Sequence, residues 1–170
     1  MLDIGDIIVY GSEGVCQVVD LQEIAFSDGS DKKEYFILVP MSNASSKLYL
    51  PKDNELLMSR VKGLLTYEEI KDLICDENNT IEWIEDSKAR NKYYKELMST
   101  YDRRNIFAVA KQLYLVKTGK IETQVNFTNW MEDMLKKAVS LLYSEFSYVV
   151  DFSEEELLPF IAGEIECNKK

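Results

Sequence analysis

Ile4-Gly5-Asp6-Ile7-Ile8-Val9-Tyr10-Gly11-Ser12-Glu13-Gly14-Val15-Cys16-Gln17-Val18 decides the fold. Two β-branched runs flank a short polar turn with a glycine at each end. Glycine reaches positive φ without a Cβ clash, so the pattern closes a tight antiparallel pair, with strands over 6–10 and 15–24. Val15, Gln17 and Val19 alternate with Cys16, Val18 and Asp20. Both faces carry apolar residues near the start, as in a small closed barrel that leaves little exposed.

The β character continues outward from the hairpin. Ser27-Asp28-Gly29-Ser30-Asp31-Lys32-Lys33 reads as a polar loop with a turn glycine. Glu34-Tyr35-Phe36-Ile37-Leu38-Val39-Pro40 is a third strand, rich in aromatic and β-branched residues. After the Ser42–Ser46 loop, Lys47-Leu48-Tyr49-Leu50 is a fourth, stopped by Pro51, which has no N–H for a ladder. Residues 1–60 therefore read as an SH3-like or Tudor-like antiparallel β-barrel of four or five short strands. A barrel this small is marginally stable alone.

Residues 61–170 read as a separate all-α domain, which makes the chain α+β with segregated domains. Thr66 with Glu69, and Ser153 with Glu156, are capping boxes that open helices. Helix-forming sequence runs from 66 to about 75 and from about Ile84 to Thr100, then resumes after Asp102 and ends at Gly119. Ile106, Val109, Ala110, Leu113 and Tyr114 make one amphipathic face, and Thr128 opens the longest helix, with Met131, Met134, Leu135, Ala138, Leu141, Leu142 and Phe146 inward. Five helices on one core account for the apolar residues, and with the barrel core they leave a monomer as the expectation.

Composition narrows the chemistry. The 170 residues contain no histidine, which removes the commonest general base, the Ser-His and Cys-His pairs and the commonest metal ligand. No glycine-rich phosphate loop occurs. The expectation is no catalytic residue, no cofactor and no metal. Cys16, Cys75 and Cys167 lie far apart and odd in number, neither a disulfide framework nor a zinc pattern, and reduced thiols in a cytoplasm fit them, with Cys16 a small buried hydrophobe. There is no secretory leader pattern and no apolar run of membrane-spanning length.

Net charge is −10, against general nucleic-acid affinity. Its distribution is uneven: residues 83–120 hold nine Lys/Arg and four Asp/Glu, a balance of +5 within an acidic chain. That segment reads either as a solvated helix face balancing acidic neighbours or as a phosphate-facing surface.

Gly5-Asp6, Val9-Tyr10 and Gly14-Val15, then Leu48-Tyr49-Leu50-Pro51 and Asn54-Glu55, follow in order and spacing the opening of the CarD family of bacterial transcription regulators. Trp83-Ile84-Glu85, Arg90, Tyr94, Asp102-Arg103, Leu113-Tyr114-Leu115 and Leu142-Tyr143-Ser144-Glu145-Phe146 extend the likeness over nearly the whole chain. The resemblance implies a Tudor-like N-terminal domain that binds a lobe of the RNA polymerase β subunit. It also implies a helical domain that contacts promoter DNA at the upstream edge of the melted bubble and stabilises the open complex. Such contacts act by existing only on distorted DNA.

Ile24 and Tyr49 align with the family's polymerase-contacting positions, and Leu48 and Leu50 complete that strand, so a Tyr-centred or edge-strand contact takes the place of basic residues used by relatives. Trp83 aligns with a tryptophan that wedges at the minor groove, although Ile84-Glu85-Asp86 follow it where relatives carry arginines. The alternative reading, slightly favoured, makes Trp83 a core anchor for the first long helix. The candidate DNA-facing set is Trp83, Lys88, Arg90, Lys92, Arg103, Arg104 and Lys111. A competing reading is an acidic protein–protein adaptor that binds polymerase or another partner without touching DNA. An enzymatic or translocase reading finds no Walker motif in the chain.

Overall fold

The structure, a computed structural model, describes residues 2–25, 31–166 and 168–170; the loop expected at Ser27-Asp28-Gly29-Ser30, and Cys167, lie outside the described residues. The chain divides into two compact units, Met1–Leu64 and Leu65–Lys170.

The first unit is an antiparallel sheet of β1 (Ile7–Tyr10), β2 (Val15–Ile24), β3 (Lys33–Pro40), β4 (Leu48–Pro51) and β5 (Val61–Gly63), in the order β4-β3-β2-β1-β5. The opening hairpin forms as the sequence dictates. Gly11 (φ 50°) and Gly14 (φ 69°) sit at the two ends of the turn, and the Tyr10 N–H donates to the Gly14 carbonyl at 2.9 Å. Register then slips between Val18↔Leu38 and Asp20↔Ile37, so Val19 is a bulge residue and points to solvent.

The closed barrel expected from sequence is not what forms. Among the described residues β4 and β5 are edges that do not pair with each other, and the sheet is open. The edge strands, four and three residues long, offer few ladder groups for closure. The short helix α1 (Glu55–Met58), capped by the Asn54 side chain at 3.1 Å from the Leu57 N–H, lies between them in sequence. Its Leu57 and Met58 pack on the sheet core of Ile8, Cys16, Val18, Phe36, Leu38 and Leu50. Strand β5 pairs with β1, which carries the unit past the residue 60 boundary expected from composition.

The second unit holds α2 (Tyr67–Cys75), α3 (Ser87–Ser99), α4 (Arg103–Lys117), α5 (Asn129–Phe146) and α6 (Glu154–Ile161). A two-stranded ribbon, β6 (Val150–Asp151) with β7 (Asn168–Lys169), was not foreseen. The Thr66–Glu69 capping box is complete: the Glu69 N–H donates to Thr66 Oγ1 at 3.2 Å, and the Thr66 N–H donates to Glu69 Oε2 at 2.7 Å. Glu156 accepts from both the Ser153 N–H (2.7 Å) and its hydroxyl (2.9 Å).

Helix α3 starts later than expected from Ile84, because the Asp86 carboxylate caps it at the Ala89 N–H, 2.8 Å away. Helix α4 is central. It packs against α3, α5 and α6, and its buried set (Ile106 to Ala110, Gln112, Leu113 and Val116) is wider than the single face read from its spacing.

Candidate functional site

Alternation along β3 and β4 sorts the first unit's candidates onto two faces. Leu50 pairs with Phe36 and Leu48 with Leu38, so both point toward the sheet core; Leu50 is fully buried and Leu48 half-buried. Tyr49 pairs with Ile37 on the opposite face and is 46 % exposed. Ile24 pairs with Lys33, four residues before Ile37 on β3, and so shares the outer face with Tyr35, Ile37 and Tyr49. The structure thus brings Ile24 and Tyr49 onto one face, about 13 Å apart along the strand direction at ~3.3 Å per residue. It separates both from Leu48 and Leu50.

Cations near this face are engaged. Lys33 Nζ lies 2.7 Å from Asp53, and Lys52 Nζ lies 2.9 Å from Glu34. The hydrogen bond from Lys33 holds Asp53 below the usual carboxylate range and raises Lys33 in turn. The outer face carries Tyr35 and Tyr49 together with the Asp20 carboxylate, which pairs opposite Ile37.

In the second unit the basic segment divides sharply. Lys88, Lys92 and Lys95 recur at i, i+4 and i+7 and stand exposed along one face of α3, where with Asn91, Glu96 and Ser99 they line a shallow open groove. Lys92 Nζ is 3.8 Å from Glu96, an exposed pair of small energetic weight. Lys95, absent from the candidate set, was recoverable from that spacing.

Arg90 lies on the opposite face with Tyr94 and Met98 and is only 1 % exposed. Its Nη1 donates to the carbonyls of Ile84 (2.7 Å) and Glu85 (3.1 Å), and its guanidinium lies over the Trp83 ring. No side-chain surface remains on Arg90 for a phosphate.

Arg103 is similarly spoken for. Its Nε and Nη2 reach Glu145 at 2.8 and 2.7 Å, and that buried carboxylate also accepts the Leu65 N–H at 2.9 Å. Arg104 is exposed, 3.9 Å from Asp76. Lys111 is half-buried, its ammonium 5.6 Å from the Phe107 ring centroid.

Trp83 sits on an irregular strap, residues 79–86, that crosses α3 and α4. Buried side chains pin the strap: Gln112 Nε2 donates to the Ile81 carbonyl at 2.6 Å, Tyr94 donates to Gln112 Oε1, and Arg90 holds Ile84 and Glu85. The indole is half-buried against the helical core, and its Nε1–H has no partner among the described residues. Burial pushes the Tyr94 hydroxyl pKa up, keeping it a neutral donor.

The first unit thus presents a sheet face bearing Tyr49, and the second an exposed row of lysines on α3. Among the described residues no group of three or more His, Cys, Asp or Glu side chains is placed to hold a metal, and no helix is long and apolar enough to cross a membrane. The family model described as the CarD-like/TRCF RID domain, an RNA polymerase-interacting domain, matches residues 2–62. Residues 2–62 are thus similar to a protein-interaction domain associated with RNA polymerase and transcription. No curated protein matches the chain.

Proposed function

We propose that the chain is a cytoplasmic transcription regulator of the CarD type, acting as a monomer. Its first unit docks on the β-subunit lobe of RNA polymerase through the outer face carrying Tyr49 and Ile24. Its second unit contacts promoter DNA and biases polymerase toward the open complex. The observation that carries the docking half is the RID match over 2–62, a span that covers β1 to β4 and the start of β5.

The DNA half rests on the exposed row Lys88, Lys92 and Lys95, with Arg104 also exposed and Trp83 half-buried. Three phosphate contacts are too few to hold an acidic protein on free DNA but enough to bias a complex already held by polymerase. A Tudor-like character for the first unit belongs to this proposal. The strand order β4-β3-β2-β1-β5 supports it, and the open edges do not.

The test is binding of the full chain to polymerase with and without promoter DNA across a salt series. Binding to polymerase alone, strengthened by promoter DNA with a gain that falls as salt rises, is expected; each lysine removed from the row lowers the salt slope by about one. The adaptor reading has one observation in its favour. Arg90 and Arg103, two of the cations that make residues 83–120 basic, face inward. It is adopted if promoter DNA adds no salt-dependent affinity.

A further inference from the structure

Residues 79–86, the strap that carries Trp83, form neither helix nor strand, and every residue from Thr80 to Asp86 is exposed or only half-buried. Both ends of the strap are fixed. Asn79 Nδ2 donates to the Leu73 carbonyl at 2.8 Å, and the Asp86 carboxylate caps α3 at the Ala89 N–H. The middle hangs on two side chains: Gln112 holds the Ile81 carbonyl, and Arg90 Nη1 holds those of Ile84 and Glu85. A segment with few buried apolar contacts and a handful of hydrogen bonds opens locally before the rest of its fold.

The docked strap also leaves polar groups unmet. Trp83 Nε1 and Arg90 Nε are buried N–H donors without an acceptor among the described residues. The groups that meet the Arg90 guanidinium in a hydrogen bond or a ring contact, the two carbonyls and the Trp83 ring, all belong to the strap. No carboxylate stands within ion-pair distance of it among the described residues. An unpaired buried donor and a buried charge without a counter-ion both cost free energy, and water would meet all three groups once the strap lifted. These costs fall on the docked form alone and bring a lifted form closer to it in free energy.

We propose that the strap is a latch: residues 80–85 lift as a unit while the helical core stays packed, and Trp83 leaves Arg90 in the lifted form. In the docked form the indole N–H is shielded from any partner. The consequence for DNA rests on the promoter reading given above: Trp83 engages promoter only from the lifted form, so docking of the strap is autoinhibitory for that contact. A partner that binds the lifted form alone shifts the latch toward it.

The experiment is hydrogen exchange of the full chain in a urea series below the unfolding transition. It compares the Trp83 indole N–H, assigned with Trp130→Phe, with the Val109 amide in the core of α4. The indole N–H is expected to be protected more than about tenfold, yet at least about 100-fold less than Val109 and with a much smaller dependence on urea. Gln112→Leu, which releases the Ile81 carbonyl, is expected to speed indole exchange about tenfold, the equivalent of one hydrogen bond. Indole exchange that matches Val109 in protection and urea dependence overturns the latch, and so does an unchanged rate in folded Gln112→Leu. No indole protection at all overturns the docked resting form. Should Gln112→Leu not fold, the wild-type comparison decides. The promoter link has its own readout, a fluorinated tryptophan at Trp83 in the Trp130→Phe chain, whose resonance polymerase and promoter DNA together are expected to move. An unmoved resonance while promoter DNA adds salt-dependent affinity overturns engagement from the lifted form. No such affinity overturns the promoter reading and leaves the latch to the exchange result.

Discussion

The guanidinium carbon of Arg90 lies 4.6 Å from the centre of the Trp83 ring, and the same guanidinium holds the carbonyls of Ile84 and Glu85. One side chain, projecting from the buried face of α3, therefore sets the position of the strap and of the tryptophan on it. Arg90 reads in sequence as one more cation in a basic helix, but in the structure it is an internal positioning residue.

Replacing Arg90 with Ala should cost about 2–4 kcal/mol in urea unfolding, because it leaves a cavity and two part-buried carbonyls without their donor. Trp83 emission, followed with Trp130→Phe, should shift in the variant well before global unfolding. Arg104→Ala, a change at an exposed side chain, should stay within about 0.5 kcal/mol of wild type. Equal effects of the two would contradict the positioning role.

Glu145 is 3 % exposed and accepts from Arg103 through two contacts and from the Leu65 N–H. Glu145→Gln preserves shape but leaves Arg103 without its counter-charge, so a loss of about 3 kcal/mol is expected. In a double-mutant cycle Glu145→Gln and Arg103→Met should be strongly non-additive. Additive losses would show that the pair contributes no coupling.

Burial, with a smaller contribution from the nearby Glu13 carboxylate, pushes the Cys16 thiol up to about 11 from 9.0. The folded state thus favours the neutral thiol. The associated stability is fully present below pH 9.0, declines as the unfolded thiol ionises above that, and is lost as pH approaches 11. Cys16→Ala should flatten that alkaline decline. With Cys167→Ser as background, exposed Cys75 should react with a thiol reagent at neutral pH while Cys16 reacts only on unfolding.

Neighbours on β4 should separate docking from stability. Leu50→Ala removes a fully buried side chain and should cost about 2–5 kcal/mol. Tyr49→Ser, on the exposed face, should leave the melting transition nearly unchanged yet weaken polymerase binding. Intact binding by folded Tyr49→Ser would remove Tyr49 from the docking face.

The features legible in sequence were those fixed by neighbours along the chain. The Gly11–Gly14 turn, the Thr66–Glu69 box and the Asp102 cap each depend on a few adjacent residues, and each forms. Barrel closure depends on how many ladder groups β4 and β5 can offer, which composition does not report. The start of α3 was misplaced because Ile84 and Glu85 give their carbonyls to Arg90 rather than to a helix.

The split among cations was partly readable. Arg90, Tyr94 and Met98 recur at i, i+4 and i+8, the spacing of a buried stripe, and Lys88, Lys92 and Lys95 occupy the other side. Arg103 gave no such signal, since its partner Glu145 lies 42 residues away.

On the proposed function, the polymerase-held chain stabilises melted promoter through the α3 lysine row. The direct measurement is open-complex lifetime on a matched promoter with the cognate polymerase, comparing wild type, Tyr49→Ser and a Lys88/Lys92/Lys95→Gln variant, each checked for fold by circular dichroism. Wild type is expected to lengthen the lifetime, Tyr49→Ser to lose the effect together with polymerase binding, and the lysine variant to lose it while still binding polymerase. A lifetime unchanged by wild type despite demonstrated polymerase binding, or lengthened equally by the lysine variant, would contradict the proposed function.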